Sequence, residues 1–135
     1  MHVIPSRIHT YIGLVVGVVL VAAPWIFGFS DASAPTWTAV VIGLFLLANE
    51  LTTTSPSSPA KVVPMRIHII IEITTGFVLA ISPWAFGFAD LDANAWVPHL
   101  VVGILVAGYA FLTDPSDDPT AAKRTSTGRR PGSAA

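Results

Sequence analysis

The chain has 135 residues, of which 53% are hydrophobic and only 11% charged, and its formal net charge is −1. A soluble domain typically carries about 25% charged residues, so this composition indicates a membrane protein. The small net charge excludes a basic field that would attract nucleic acid. The absence of cysteine excludes disulfides, thiolate metal sites and cysteine nucleophiles.

The chain contains an internal duplication. Residues 3–37 align with residues 62–96 at a constant offset of 59, and 17 of these 35 positions are identical. After Trp96 the second copy gains one residue, so that Gly43 aligns with Gly103 at an offset of 60. A repeat of this length is one supersecondary unit copied in tandem, and each unit is long enough to cross a bilayer and return.

Four apolar segments predict four transmembrane helices, two in each repeat. Their approximate bounds are residues 8–29, 37–51, 67–88 and 95–112. The first segment has 22 residues and no charge. As a helix it measures roughly 33 Å, which exceeds a hydrocarbon core of about 30 Å. The second segment is short for an untilted span, and either local thinning of the bilayer or a start near Pro35 would compensate.

A cleaved signal peptide is the alternative interpretation of the first segment. Small residues suited to cleavage occur at 22–23 and 32–34, but Pro24 and Pro35 follow them and would block cleavage. The same segment also recurs in the middle of the chain, where a signal peptide cannot lie. We therefore interpret it as a membrane span.

The predicted architecture is an all-α membrane protein built from two parallel, tandem helical-hairpin repeats. The first repeat covers residues 1–54, a linker covers 55–61, the second repeat covers 62–113 and a tail covers 114–135. The tail is polar, with alanine as its only apolar residue type. Such a segment cannot bury enough apolar surface to offset its ordering entropy, so we expect a disordered tail.

The basic residues predict the orientation of the spans. All seven lie before the first helix, between the second and third, or after the fourth: Arg7, Lys61, Arg66, Lys123, Arg124, Arg129 and Arg130. The two turns within the hairpins contain Asp31, Asp90 and Asp92 and no basic residue. The positive-inside rule then predicts a multi-pass protein of the inner or plasma membrane with both termini in the cytoplasm.

The first helix of each repeat carries a stripe of residues spaced three or four apart, which share one helical face. The stripe consists of His9, Gly13, Gly17, Leu20, Pro24 and Gly28, with the equivalents His68, Glu72, Gly76, Leu79, Pro83 and Gly87. Gly13 and Gly17 form a close-approach motif for helix packing, which Gly76 shares. Two spans per repeat exclude inverted repeats and imply a pseudo-two-fold along the membrane normal. If the first and third helices meet there, Glu72 lies opposite Gly13.

Glu72 is the one carboxylate in the interior of a predicted span, and His68 lies one turn before it on the same face. One interpretation is an intramembrane pair that handles protons or cations. The other is that Glu72 extends to the interface and pairs with His68 or Arg66. The absence of a carboxylate in the first copy favours the second interpretation.

The remaining polar groups are assigned structural or topological positions. His9 and His68 follow Arg7 and Arg66 in the first turns of their helices. With Glu72 they could bind a metal, but their interfacial depth and the lack of a further strong ligand lead us to predict no metal site and no cofactor.

Two more polar residues lie near helix ends. Glu50, at the end of the second helix, is expected to bridge to Arg7 or Arg66. His99 is expected to be a wet residue at the outer interface.

The dipeptides Pro24-Trp25 and Pro83-Trp84 lie in the last third of the first helix of each repeat. The proline removes a backbone hydrogen bond and bends the helix. The tryptophan lies at interface depth, where aromatic rings anchor a span, and all four tryptophans of the chain are predicted to form one outer belt.

Ser82 precedes the second of these dipeptides, and this Ser-Pro-Trp motif in a duplicated two-helix unit resembles the SPW-repeat membrane proteins of bacteria over about residues 3–113. The resemblance implies an integral membrane protein of two tandem repeats and brings no catalytic residues with it. Ala23 replaces the serine in the first copy, so the hydroxyl is not a chemical group required in both repeats.

The sequence contains no nucleotide-binding, hydrolase or metalloprotease motif. We predict a non-enzymatic structural or accessory membrane component that acts by helix packing, in the lipid bilayer, with itself or with a membrane-protein partner. The first alternative is a proton- or small-cation-coupled transport or channel element centred on Glu72. The second alternative is a membrane enzyme, for which the spans offer too few polar groups.

Overall fold

A computed structural model describes residues 3–56 and 58–117. It contains four long helices and one short 3-10 helix. Their bounds are Ser6–Ile26 (α1), Ser33–Thr52 (α2), Met65–Ala85 (α3), Ala93–Phe111 (α4) and Pro115–Asp117 for the 3-10 helix. Each of α1 to α4 is long and apolar enough to cross a membrane, and the described residues form no strand. The predicted all-α membrane fold is confirmed. The tail predicted to be disordered, residues 114–135, begins with the 3-10 helix Pro115–Asp117, and its remainder after residue 117 lies outside the described residues.

The turn of each hairpin explains why α1 and α3 end three residues earlier than the sequence predicted. Gly28 has φ of 73°, a left-handed conformation that favours glycine. The N–H of Phe29 then donates to the carbonyl of Pro24 at 2.8 Å, which closes the helix terminus as in a Schellman motif. The second repeat has the same geometry, with φ of 74° at Gly87.

The second helix of the first repeat is longer than predicted. α2 begins at Ser33 and contains 20 residues, so its length is roughly 30 Å. Of the two explanations offered for the short apolar segment, the earlier start therefore holds, and local thinning of the bilayer is not needed.

Ser82 compensates for the proline that follows it. Pro83 has no N–H, so the carbonyl of Leu79 four residues earlier lacks its normal helical partner. The Ser82 hydroxyl, which is fully buried, donates to that carbonyl at 2.7 Å. The serine of the Ser-Pro-Trp motif is therefore a backbone partner inside the helix, and Ala23 of the first repeat cannot form this bond.

Replacing Ser82 with alanine should lower the stability of the bundle by about 0.6–1.5 kcal/mol, because the Leu79 carbonyl loses its hydrogen bond in an apolar surrounding. Thermal unfolding in detergent measures the loss. Thr74→Ala is the control, since the Thr74 hydroxyl bonds to the Ile70 carbonyl, which keeps its backbone helical partner. Equal destabilisation by both variants would contradict this assignment.

Glycines set the spacing of the helices within each hairpin. A Cβ at Gly17 would lie 3.4 Å from the Gly43 carbonyl oxygen on α2. A Cβ at Gly76 would lie 2.8 Å from the Gly103 carbonyl oxygen on α4, and one at Gly103 would lie 2.4 Å from the backbone nitrogen of Ala80. The close approach is therefore between the two helices of one repeat, as small residues permit in membranes.

The two repeats pack around a shared core, and the start of each repeat pairs with the end of the other. Buried residues of all four helices form the centre of the bundle, among them Leu20, Leu46, Leu79 and Val106. At the end of the bundle where α1 and α3 begin and α2 and α4 end, called here the termini end, isolated parallel bridges pair Ile4 with Thr113 and Thr53 with Val63. Ile4 and Val63 are equivalent, as are Thr53 and Thr113, so each bridge connects the start of one repeat to the end of the other.

The opposite end of the bundle, called the turn end, holds the hairpin turns. His99 on α4 is fully buried there, with its ring 4.8 Å from that of Phe88 and 5.5 Å from that of Phe29. Its Nε2 lies 3.0 Å from the Pro35 carbonyl oxygen. The expectation that His99 is a wet interfacial residue is wrong, because His99 lies on the buried face of α4, at the position equivalent to the buried Ala39 of α2.

Candidate metal centre

Four ionisable side chains converge inside the bundle near its termini end. They are His9 on α1, Glu50 on α2, and His68 and Glu72 on α3, each at most 1% exposed. One donor atom from each lies within 4.8 Å of all the others. Buried charged groups are rare unless they are paired or bind a metal, so this cluster requires a physical explanation.

The two imidazoles form the centre of the cluster. The Nε2 atoms of His9 and His68 are 2.9 Å apart. Glu72 Oε2 lies 2.8 Å from the Nε2 of His9 and 3.4 Å from that of His68. Glu50 Oε1 lies 3.6 Å from the Nε2 of His9 and 3.4 Å from that of His68. The two nitrogens and two carboxylate oxygens therefore surround one small volume.

The positions of these residues along α1, α2 and α3 bring their side chains together. His9 and His68 occupy equivalent positions in the first turns of α1 and α3, so the pseudo-two-fold places them face to face. Glu72 follows His68 by four residues and shares its helical face. Glu50 comes from the last turn of α2, which runs back to the same end of the bundle.

Gly13 provides the space for Glu50. A Cβ at Gly13 would lie 1.8 Å from Glu50 Oε1 and 2.4 Å from its Cδ. The carboxylate nearest to Gly13 is therefore that of Glu50, and not that of Glu72 as the sequence predicted. The vacancy receives the carboxylate of the other helix in the same hairpin, because Glu50 projects across the face of α1.

Two threonines set the orientation of the imidazoles. Thr53 Oγ1 lies 2.5 Å from Nδ1 of His68, and Thr113 Oγ1 lies 2.6 Å from Nδ1 of His9. Each threonine hydroxyl also donates to a backbone carbonyl, that of Asn49 at 2.5 Å for Thr53 and that of Tyr109 at 2.8 Å for Thr113.

A hydroxyl has one proton, so a threonine that donates to a carbonyl must accept from the imidazole Nδ1–H. The proton of each neutral ring is then on Nδ1, and the lone pair of Nε2 points into the cluster. A hydrogen bond on the far nitrogen is the usual arrangement by which proteins orient a metal-binding histidine.

Tyr109 orients one of the carboxylates in the same manner. Its hydroxyl donates to Glu72 Oε1 at 2.5 Å, which leaves Oε2 directed at the histidines. Oε2 of Glu72 and both carboxylate oxygens of Glu50 accept no well-aligned hydrogen bond from the described residues. Together with two Nε2 lone pairs, these oxygens form an electron-rich pocket that a metal ion, or protons on the imidazoles, can satisfy.

The segment after α2 closes the termini end of the cluster. Thr54, Ser55 and Ser58 are buried. Thr10 Oγ1 on α1 donates to Ser55 Oγ at 2.9 Å, and Ser58 Oγ donates to the Glu50 carbonyl at 2.7 Å. Thr54, Ser55 and Ser58 are therefore packed against α1 and the end of α2 beside the cluster.

Several structural expectations for these residues change. Glu72 does not extend to the surface, since it is buried between His9, His68 and Tyr109. Glu50 lies against the histidines and not against Arg7 or Arg66, both of which are exposed. Glu50 thus supplies a further potential donor, the lack of which was the reason to predict no metal site from the sequence.

The other sequence-predicted residues lie away from the cluster. The repeat motif Pro24-Trp25 and Ser82-Pro83-Trp84 is near the turn end, with Trp25 and Trp84 exposed on the outer surface. Gly17 and Gly76 belong to the packing within each hairpin. Tyr109 and the two threonines were not predicted from the sequence, although Thr53 and Thr113 align at an offset of 60.

Comparison with known proteins identifies the repeat. The family model of the SPW repeat domain matches residues 7–113. The matched region includes all four ionisable residues of the cluster together with Thr53, Tyr109 and Thr113. No curated protein and no solved structure matches the chain.

Proposed function

The chain belongs to the SPW repeat domain family, and we propose that this four-helix membrane protein binds one divalent transition-metal ion in its interior. The ligands are Nε2 of His9 and His68 and the carboxylates of Glu50 and Glu72. The observation that carries the proposal is the convergence of four buried donor atoms whose protein partners on the far side direct their lone pairs inward.

The geometry suits a small ion with four ligands. Bonds of about 2.0–2.1 Å in a tetrahedral site place neighbouring donor atoms about 3.3 Å apart. The observed separations involving the two Nε2 atoms range from 2.8 to 3.6 Å. All four donor atoms lie within 4.8 Å of one another. An ion therefore fits once the two carboxylates move towards it, within the freedom of the glutamate side chains.

The charge of the cluster favours a divalent cation. Two carboxylates contribute two negative charges, while imidazoles with Nδ1–H and a free Nε2 contribute none. A divalent ion neutralises the site, which removes the cost of isolated charges in an apolar interior. A monovalent ion would leave a negative charge there, and imidazole ligands suit transition metals better than Na⁺, Mg²⁺ or Ca²⁺.

This proposal extends the cation-handling alternative centred on Glu72 and replaces the prediction that the protein has no metal. It also gives the predicted helix-packing role a chemical basis, since a bound ion would organise the interior of the bundle. The protein would then act without catalysis, as the sequence analysis expected.

Metal titration of the full-length protein tests the proposal. Protein purified in detergent and stripped with a chelator should bind one Zn²⁺ or Co²⁺ per chain, measured by calorimetry and by elemental analysis after desalting. The tetrahedral Co²⁺ complex should show intense visible absorption. The control variant Asp90→Asn alters an acidic residue at the turn end and should bind equally. Failure to retain any transition metal in stoichiometric amount would refute the proposed function.

The threonine partners should affect affinity without abolishing the site. Thr113→Val removes the hydrogen bond that orients His9 and should weaken Zn²⁺ binding by about 10–100-fold, the usual effect of losing such an outer partner. Thr75→Val is the matched control, since the Thr75 hydroxyl bonds to the Ile71 carbonyl of its own helix and not to a histidine. Competition with a chromogenic chelator measures both affinities, and an unchanged affinity for Thr113→Val would contradict the orienting role.

We also propose that the termini end faces the cytoplasm of a cell whose inner or plasma membrane holds the protein. The exposed basic residues Arg7, Lys61 and Arg66 support this orientation through the positive-inside rule. Single cysteines in the turns at Asp31 and Asp90 should react with an impermeant maleimide on intact cells. A cysteine at Lys61 should react only after the cells are opened, and the reverse pattern would invert the topology.

A further inference from the structure

We infer that the bound ion is a structural clamp between the two repeats, held in a closed tetrahedral site of the Zn²⁺ type; this inference rests on the proposed function. The repeats contribute equally. The first supplies His9 and Glu50, and the second supplies His68 and Glu72. Neither repeat has enough ligands to hold the ion without the other.

The orienting hydrogen bonds also cross between the repeats. His9 of the first repeat is bonded by Thr113 of the second, and His68 of the second repeat is bonded by Thr53 of the first. The two parallel bridges likewise pair the start of each repeat with the end of the other. An ion bound to both histidines would therefore lie between the two repeats, beside these contacts.

The two repeats supply their carboxylates from inequivalent positions, so the cluster holds two carboxylates and not four. Position 13 holds glycine where its equivalent, position 72, holds glutamate. Position 50 holds glutamate where its equivalent, position 110, holds alanine. Each repeat thus supplies one carboxylate, but from a different helix, and the vacancy at Gly13 accommodates Glu50. The two carboxylates neutralise one divalent ion, and the two neutral histidines complete the set of four ligands.

The ligand set leaves no place for a substrate. Four protein donors complete a tetrahedron, as in structural zinc sites, whereas catalytic sites keep one position open. On the termini side, the buried Ser55 bonds to Thr10 and the buried Ser58 to the Glu50 carbonyl. On the turn side lie fully buried apolar residues of all four helices: Leu20, Leu46, Leu79 and Val106. Among residues 3–56 and 58–117, the ion would therefore have four protein donors around it and buried apolar side chains between it and the turn end.

Distance measurements between the repeats test the clamp. The chain has no cysteine, so spin labels can be introduced as unique pairs. Tyr11→Cys and Ile70→Cys place labels on exposed, equivalent positions near the termini end, and Ile26→Cys and Ala85→Cys place them at the turn end. Chelation should broaden and shift the distance distribution of the first pair, Zn²⁺ should restore it, and the second pair should stay unchanged.

The outcomes separate the clamp from metal binding itself. Stoichiometric Zn²⁺ binding with no change in the first pair would overturn the clamp and leave the proposed function intact. Zn²⁺ flux into liposomes carrying the protein, or a Co²⁺ spectrum showing five or six ligands, would also overturn it. No binding at all would overturn both. In Glu50→Gln, the response of the first pair to Zn²⁺ should be lost at concentrations that saturate the wild type.

Discussion

Glu72→Gln is expected to weaken Zn²⁺ binding by more than about 100-fold. The substitution preserves the shape of the side chain but removes one of four ligands and one of two negative charges. Loss of a direct ligand should exceed the 10–100-fold effect of losing an orienting partner. Calorimetric titration of the chelator-stripped variant measures the affinity, and retention of wild-type affinity would contradict the assignment of Glu72 as a ligand.

The stability of the same variant should depend on metal in a characteristic manner. With excess Zn²⁺, a 100-fold loss of affinity corresponds to about 2.7 kcal/mol less stabilisation than in the wild type. With chelator, the variant should be at least as stable as the wild type, because it lacks one of two adjacent buried negative charges. Asp90→Asn should follow the wild type under both conditions. A variant that is destabilised equally with and without metal would indicate a purely structural Glu72.

Gly13→Ala is expected to weaken metal binding by more than about 10-fold although it changes no ligand. The added Cβ would lie 1.8 Å from Glu50 Oε1, so the Glu50 carboxylate must leave its position. The displaced atoms are the end of a flexible side chain, so the stability without metal should change by no more than about 1 kcal/mol. The higher helix propensity of alanine should offset part of any loss. Metal titration and thermal unfolding with chelator measure the two effects.

Gly108→Ala is the matched control for this substitution. A Cβ at Gly108 on α4 has no atom within 4 Å, so both metal affinity and stability should be retained. Gly103→Ala serves as the opposite reference, since its Cβ would meet the backbone of α3, and it should destabilise the bundle with or without metal. If Gly13→Ala behaves as Gly108→Ala does, Glu50 is not held against α1.

The turn of each hairpin shows why helix boundaries were only approximately predictable. The Phe-Gly-Phe sequence indicated a turn, but the end of α1 depends on the hydrogen bond from Phe29 to the Pro24 carbonyl, which the left-handed Gly28 permits. Hydropathy extends across those residues because they are apolar in either conformation. The apolar pattern therefore located each span and misplaced the ends of α1 and α3 by three residues.

The residues of the candidate site were likewise only partly predictable from the sequence. His9, His68 and Glu72 were recognisable from the sequence because they share a stripe that recurs at a constant offset. Glu50 was not, because its equivalent in the second repeat is alanine and no periodic pattern connects it to the stripe. Its assignment to an arginine partner was reasonable from proximity along the bundle, and it failed because the rotation of α2 points Glu50 inward.

Membrane location, the number of spans and their pairing into two repeats follow from hydropathy and internal similarity, which are properties of contiguous residues. The chemistry of the interior depends instead on how the helices rotate and cross. That packing places carboxylates from two inequivalent positions beside a symmetric pair of histidines. It also matches each histidine to a threonine 15 residues away in one case and 104 residues away in the other. Such contacts depend on distances in space, which no local pattern of side chains encodes.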